Sequence, residues 1–369
     1  MMTIKVGVIG TGQIAQKHLR QWRDIAEVED VAVVAVCDLD QAARDKAAKE
    51  FGIADTYADF RDLIAREDVT AVDVCLHNNL HAPVSIAAME AGKHVYCEKP
   101  IAGSYLDGVA MIEASKRTGK MLHIQLDTVF KPEVQAGKRL LEGGALGDLY
   151  HARVTCYRRR GRPFVDGYGT ERFVQKQQSG GGALYDMGIY YIAQMLYLLG
   201  NPKVERVVGR TFQKTGMDAE RAAKSGYDVE ELGMGFVNLA GGIALDVVVS
   251  WAIHLGPFAG SYLVGNKGGI QLEPFSFHET RCDLDLDATV NLGAMEGRRH
   301  LMDPNAWAYD SSQQHWAAAL QGKVPLLPTA ELALNTMLIQ QGIYLSEARG
   351  CELSAEDVIA ASESTAVEL

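Results

Sequence analysis

The chain contains no run of five like charges, no Cys-x-x-Cys pair, no His-Glu-x-x-His motif, no internal repeat and no low-complexity linker. Its 36 basic residues are outnumbered by 47 acidic ones, for a formal net charge of −11. Without a clustered basic face a polyanion is repelled on average, so no nucleic-acid partner is expected. The one short basic cluster, Arg158, Arg159, Arg160 and Arg162, reads either as a holder of a small anion or hydroxylated ligand or as a solvated strand end. No apolar stretch approaches the roughly 18 residues of a membrane span. Met1-Met2-Thr3-Ile4-Lys5 runs straight into a strand pattern, without the ordered regions of a secretory leader. No membrane partner and a cytoplasmic location are therefore expected. Six cysteines are scattered, and Cys37, Cys75 and Cys97 sit in Val-rich runs, the pattern of core packing with free thiols. Among ten histidines only His77 and His81 stand four apart, with no further ligand motif, so no metal is expected.

What is present is an ordinary globular composition, 47% hydrophobic and 22% charged over 369 residues, enough for about two to three compact units. Up to residue 125, short β-branched runs (Ile4 to Ile9, Val31 to Cys37, Ala71 to Leu76, His94 to Cys97, Met121 to Gln125) alternate with helix-length amphipathic stretches. Continuous apolar strands separated by helices predict a doubly wound parallel sheet over residues 1–125. From 126 to 369 the rhythm changes to strands joined by Gly-rich turns, as at Met234 to Leu239, Ala240-Gly241-Gly242 and Ile243 to Ser250, and again across Ser261 to Leu272. That pattern predicts a second domain on a large, mainly antiparallel open sheet, flanked by helices at Lys131 to Glu142, Ala183 to Leu199, Ser311 to Leu320 and Thr329 to Arg349. Val247, Val249 and the apolar residues of Ala240 to Trp251 suggest that its outer face is not wholly polar, which predicts a homodimer or homotetramer.

Gly10-Thr11-Gly12-Gln13-Ile14-Ala15 sets G-x-G-x-x-A at the end of the first strand and the start of a helix. Gly10 permits the tight turn, Gly12 lets a pyrophosphate approach, and the helix N-terminus around Gln13 and Ile14 offers free N–H groups. The second strand ends at Asp38, where a carboxylate accepts from ribose hydroxyls and disfavours a 2′-phosphate. NAD is expected in preference to NADP. The strand His94 to Cys97 runs into Glu98-Lys99-Pro100. Ligands of such sheets lie beyond the carboxyl ends of the strands, so Lys99 is expected to project toward the nicotinamide end.

These motifs, with Asn78, His81, Ala91-Gly92-Lys93-His94-Val95 and Ser179-Gly180-Gly181-Gly182-Ala183-Leu184-Tyr185-Asp186-Met187-Gly188, resemble the glucose-fructose oxidoreductase and inositol dehydrogenase (Gfo/Idh/MocA) family over nearly the whole chain. The resemblance implies an NAD-dependent oxidoreductase acting on a small-molecule sugar, glycoside or cyclitol. It implies a catalytic Lys99, an Asp186 that binds a substrate hydroxyl, and a cofactor bordered by Asn78, His81, Glu98 and Lys99. The family commonly has a His four residues after that Asp, whereas this chain has Tyr190. Leu76-His77-Asn78 stands where the family often has Thr-Pro-Asn, and Val129 where it often has Arg.

Asp186 and Tyr190 are four apart on an expected helix, hence on one face, continued by Ala193 and Tyr197. A nearby ammonium and an oxidised nicotinamide would both favour phenolate, so Tyr190 reads either as the acid/base or as a side chain that reads substrate shape, and if it is neither the proton goes to Lys99 or to a residue such as His254. Arg159, Arg160, Lys176 and His254 are expected substrate contacts, and Tyr168, Phe173, Tyr190 and Trp251 could line a sugar pocket or simply pack. Two other functions share this residue set. One is an NAD-dependent glycosidase working through transient oxidation and elimination, and the other is a catalytically silent metabolite sensor.

Overall fold

The computed structural model describes residues 3–256 and 260–369; Met1 and Met2, part of the opening stretch read above, lie outside the described residues. The chain divides into two compact units. The first runs to Gln125 and includes Asp303–Glu331 and Ser364–Leu369; the second comprises Leu126–Met302 and Leu332–Glu363.

The first unit alternates β1 (Ile4–Ile9), α1 (Gln13–Glu29), β2 (Val31–Cys37), α2 (Gln41–Phe51), β3 (Asp55–Tyr57), α3 (Phe60–Ile64), β4 (Ala71–Val74), α4 (Asn78–Glu90), β5 (His94–Cys97), α5 (Tyr105–Thr118) and β6 (Leu122–Ile124). The six strands are parallel in the order β3-β2-β1-β4-β5-β6. This is the expected doubly wound sheet, with the order reversing between β1 and β4, where such sheets open a ligand crevice. β3 escaped the sequence reading because it is a three-residue edge strand, mostly exposed and without an apolar run. Val6, Val8, Leu19, Trp22, Val36 and Tyr96 form the core with Trp316, and Trp22, Tyr96 and Trp316 meet at centroid separations of 5.5 to 5.9 Å. Aromatic pairs at such separations add to the burial of their large apolar area.

The second unit contains α6 (Pro132–Glu142), β7 (Leu149–Tyr157), α7 (Lys176–Ser179), a π turn (Leu184–Gly188) that continues into α8 (Ile189–Leu199), β8 (Val204–Phe212), α9 (Ala219–Ser225), β9 (Leu232–Leu239), β10 (Ile243–Ser250), β11 (Tyr262–Gly265), β12 (Gly268–Leu272), β13 (Phe275–Arg281), β14 (Leu284–Thr289) and α10 (Leu292–Met302). After α11 (Ser312–Leu320), which belongs to the first unit, follow α12 (Thr329–Arg349), β15 (Leu353–Ser354) and α13 (Ala355–Ala360). Nine strands form one sheet, β14-β13-β12-β11-β7-β10-β9-β8-β15, antiparallel except for the β10–β7 pair. The β9–β10 hairpin turns at Gly241 and Gly242, both at positive φ, as its sequence requires.

One expectation about this sheet is corrected. Val247 and Val249 do not serve the outer face: they are 1% and 0% exposed, on the inner side with Leu245. Side chains alternate along a strand, so the residues between them turn outward. The apolar outer residues are Val208 and Phe236, paired across β8 and β9, and Met234, paired with Val248.

Candidate active site

In the first unit the carboxyl end of β1 makes the glycine turn. Gly10 has φ +92°, and a Cβ there would lie 2.4 Å from the Cys75 carbonyl oxygen, so only glycine fits. A Cβ at Gly12 would meet nothing within 4 Å, and Gly12 opens α1 with no side-chain cap and no acid in its first turn. Gly12, Gln13 and Ile14 are exposed. An uncapped helix N-terminus behind an open glycine is suited to a pyrophosphate. Asp38 closes the other side of this turn: its Oδ2 accepts from the Thr11 N–H at 2.7 Å and from Oγ1 at 3.0 Å, and its Oδ1 accepts from the Asp40 N–H at 2.9 Å. Arg44 of α2, six residues on, donates to the Asp38 main-chain oxygen at 2.5 Å, a cation beside the acid that the spacing did not reveal.

Asn78 begins α4, and His81 follows one turn later. His81 is buried, with Nδ1 2.8 Å from the Pro100 carbonyl and Nε2 3.1 Å from the Leu76 carbonyl. Burial holds its pKa below the ordinary value. A neutral ring carries one N–H, so His81 donates to one of these two carbonyls and packs its other nitrogen against the second, between the loop after β4 and the turn after β5. Glu98 is likewise turned inward, 4% exposed, and Lys99 beside it is half-buried. The four thiols Cys37, Cys75, Cys97 and Cys156 are buried and free, and burial pushes Cys37, Cys75 and Cys156 up to about 12. Thiols so held supply no thiolate near neutrality.

In the second unit Asp186 sits inside the π turn, half-buried, and Tyr190 lies in the first turn of α8, also half-buried. The segment is anchored from behind by Glu230, whose Oε2 accepts from the Gly182 N–H at 2.8 Å and whose Oε1 accepts from the Leu184 N–H at 2.9 Å. A Cβ at Gly182 would come within 1.9 Å of the Glu230 main-chain oxygen, which explains the glycine run. The wider turn also alters the expected stripe: Ala193 is fully buried, while Tyr191 lies half-exposed under the Lys131 ammonium. A π turn inserts one residue and rotates everything after it, an arrangement frequent at functional sites.

Trp251, just after β10, is fully buried and donates its indole N–H to Asp186 Oδ2 at 3.1 Å. Tyr168 is close enough to Asp186 that burial first and that charge second push its phenol up to about 12. Arg158 stacks on the Tyr168 ring at 5.2 Å and donates to its hydroxyl at 2.5 Å. Arg158, Tyr168, Asp186 and Trp251 thus form one polar-aromatic group. The Arg cluster is divided. Arg162 is fully buried between Asp166 and Glu231, and Arg160 pairs with Asp166 at 3.1 Å. Arg159, Lys176 and His254 are exposed.

Residues 4–126 match the family model described as an oxidoreductase family with an NAD-binding Rossmann fold, and residues 134–271 match the GFO/IDH/MocA C-terminal domain. Levoglucosan dehydrogenase of Pseudarthrobacter phenanthrenivorans is 30% identical over 273 residues, 69% of each chain. The chain belongs to the Gfo/Idh/MocA family. D-glucoside 3-dehydrogenase of Escherichia coli K12 is 27% identical over 355 residues, 94% of this chain and 96% of that one. A solved levoglucosan dehydrogenase in complex with NADH has the same fold, with TM-score 0.79 at 22% identity over 95% of this chain and 99% of that one. As a Gfo/Idh/MocA oxidoreductase, the chain has an NAD-binding Rossmann domain, and the glycine cradle, the uncapped α1 and Asp38 fit that cofactor.

Proposed function

We propose that this oxidoreductase converts a secondary alcohol of a sugar, glycoside or cyclitol to the ketone, using NAD in preference to NADP. The observation that carries the reading is Asp186, a carboxylate fixed on a π turn among the Trp251 indole, Tyr168 and Arg158. A carboxylate bordered by aromatic faces suits a polyhydroxylated ring, whose hydroxyls donate and whose C–H faces are apolar. The names of the glucoside and levoglucosan dehydrogenases support the substrate class.

NAD, when bound, supplies the hydride acceptor at its nicotinamide C4. Gly10, Gly12 and the first amides of α1 at Gln13 and Ile14 would hold its phosphates, Asp38 its ribose, and Asn78 and Lys99 its nicotinamide side. The chain's own part is the proton. Asp186 orients the reacting hydroxyl, Tyr190 accepts its proton, and the Lys99 ammonium stabilises the charge that develops on oxygen. Arg158 and Tyr168 join Asp186 as substrate contacts, in place of Arg160, which is committed to Asp166. A panel of sugars, cyclitols and glycosides with NAD and with NADP, followed at the NADH absorbance, tests the reading; turnover only with NADP would overturn the cofactor assignment.

We place the reaction in the cytoplasm, with the free cysteines as support. We assign a homodimer or homotetramer to the outer sheet face around Val208, Met234, Phe236 and Val248, a cluster of adjacent apolar side chains. Light scattering at micromolar concentration should give a multiple of the chain mass, and a strictly monomeric mass would refute the assembly.

A further inference from the structure

Behind Lys99 lies a fully buried group that the function above does not use. His18 of α1 has Nδ1 3.0 Å from Asp73 Oδ2 and Nε2 2.9 Å from Glu98 Oε1. A neutral imidazole donates from one nitrogen only, so two carboxylates on opposite ring edges call for the imidazolium. Trp22 Nε1 donates to Asp73 Oδ2 at 2.7 Å and the Cys75 thiol donates to Asp73 Oδ1 at 3.4 Å. His18, Asp73 and Cys75 bring possible metal donors within 4.8 Å of one another. Their mutual hydrogen bonds, and the second carboxylate on His18, are instead the pattern of a closed ion-pair network. The remaining Glu98 oxygen, Oε2, accepts the Lys99 main-chain N–H at 2.9 Å. One chain of contacts thus runs from Asp73 through His18 and Glu98 to the backbone of Lys99.

We propose that His18 is a positioning residue for Lys99: through Glu98 it fixes the main chain at the head of the Lys99-Pro100 turn, and so the direction of the Lys99 ammonium. The proposal rests on reading Lys99 as the lysine that serves the reacting oxygen. Burial works against a charge on His18, but the charge of Asp73 and the hydrogen bond to it hold its pKa well above the ordinary value. Facing it are Asp73 and Cys75 from the β4 side, Glu98 after β5 and the Tyr96 ring of β5, edge-on at 5.7 Å, while Trp22 shares its helix; the Lys99 charge acts on Glu98. The imidazolium is therefore present through neutrality and is lost as pH rises through that raised value. Two carboxylates then face a neutral ring, and the hold on Lys99 loosens.

The test reads Lys99 without turnover: trace acetylation of the NAD-loaded enzyme, with Lys99 labelling measured by mass spectrometry against the exposed Lys176. His18→Gln places an amide donor where Nε2 meets Glu98, whereas His18→Asn places it where Nδ1 meets Asp73. The expected result is that His18→Asn changes Lys99 labelling by at least about threefold and His18→Gln by less than about 1.5-fold. Equal effects of the two variants, or none from either, would overturn the proposal. Should His18→Asn fail to fold, ¹⁵N-histidine spectroscopy of the wild type decides. A doubly protonated His18 at neutral pH, whose loss at alkaline pH coincides with a step in Lys99 labelling, supports the proposal, and a singly protonated ring at neutral pH refutes it. An enzyme inactive on every sugar yet showing this coupling would refute the substrate reading and leave the positioning role standing.

Discussion

Lys99 and Asp186 are supported in opposite ways. Lys99 stands at the end of a parallel strand, and the groups behind it are charged: His18 is held between Asp73 and Glu98 with no part of the ring exposed. Asp186 stands on an irregular turn, and the buried carboxylate behind it, Glu230, holds main-chain amides instead of a countercharge. Burial raises the Glu230 pKa while its hydrogen bonds oppose the shift. A strand end can be aimed by an ion pair, since the sheet already fixes the backbone. A π turn has no ladder to fix it and must be pinned amide by amide.

The comparison predicts where damage is greatest. Removal of the acting groups comes first: Lys99→Met and Tyr190→Phe should each lower turnover by about 10² to 10⁴, and Tyr190→Phe should do so with little change in cofactor affinity. Their combined loss should fall far short of additive, as expected of groups that act together. A Tyr190→Phe enzyme with near wild-type turnover and an unchanged pH–rate profile would return the proton to Lys99 or His254. Next comes the pin of the π turn. Gly182→Ala drives a methyl to 1.9 Å from the Glu230 carbonyl oxygen, and should cost about 3 kcal/mol or more in denaturant titrations.

The two sides also differ in how far the sequence disclosed them. The strand of Ile4 to Ile9, the Gly10 turn, Asp38 and the strand before Glu98-Lys99-Pro100 appear in the structure where the sequence places them, because each depends on local backbone chemistry within a few residues. The network behind Lys99 was not legible: His18 lies 55 positions from Asp73 and 80 from Glu98, and nothing local marks a histidine in α1 as charged. In the second unit, Gly180-Gly181-Gly182 and Asp186 were visible as a motif, but the π turn was not, since helical periodicity carries no sign of one inserted residue. Trp251 reads by default as core packing, and its bond to Asp186 across 65 positions comes only from the fold. Arg162 looked like part of a surface cluster because its partners, Asp166 and Glu231, are brought together by tertiary structure.

Smaller effects sharpen the contrast. Asp38→Ala removes charge-assisted hydrogen bonds to ribose, so NAD binding should weaken by roughly 1.5 to 3 kcal/mol. With Arg44 still beside the site, discrimination against NADP should fall as well, which titration of both cofactors reads directly. The mildest test is acid. Among the described residues the fully buried histidines 18, 81, 123 and 315 all belong to the first unit. Burial holds His315 down at about 4, as it does the half-buried His94, and keeps His81 and His123 low. For these four the unfolded chain binds more protons between the folded value and about 6.5, so stability falls as pH drops through that window. His18 has the opposite sign, since its raised value stabilises most below 6.5, but it is one against four. Relative to the intrinsic exchange rate at each pH, amide protection should fall between pH 7 and pH 5 more in the first unit than in the second, and an equal fall in both would contradict the assignment.

The most direct measurement is the yield of NADH against ketone formed from whichever sugar, glycoside or cyclitol in the panel turns over. The account predicts one NADH for each ketone, a rate that Lys99→Met nearly abolishes, and no cleavage of glycosidic bonds. Glycoside cleavage without net NADH, or NADH formation that survives Lys99→Met undiminished, would contradict it.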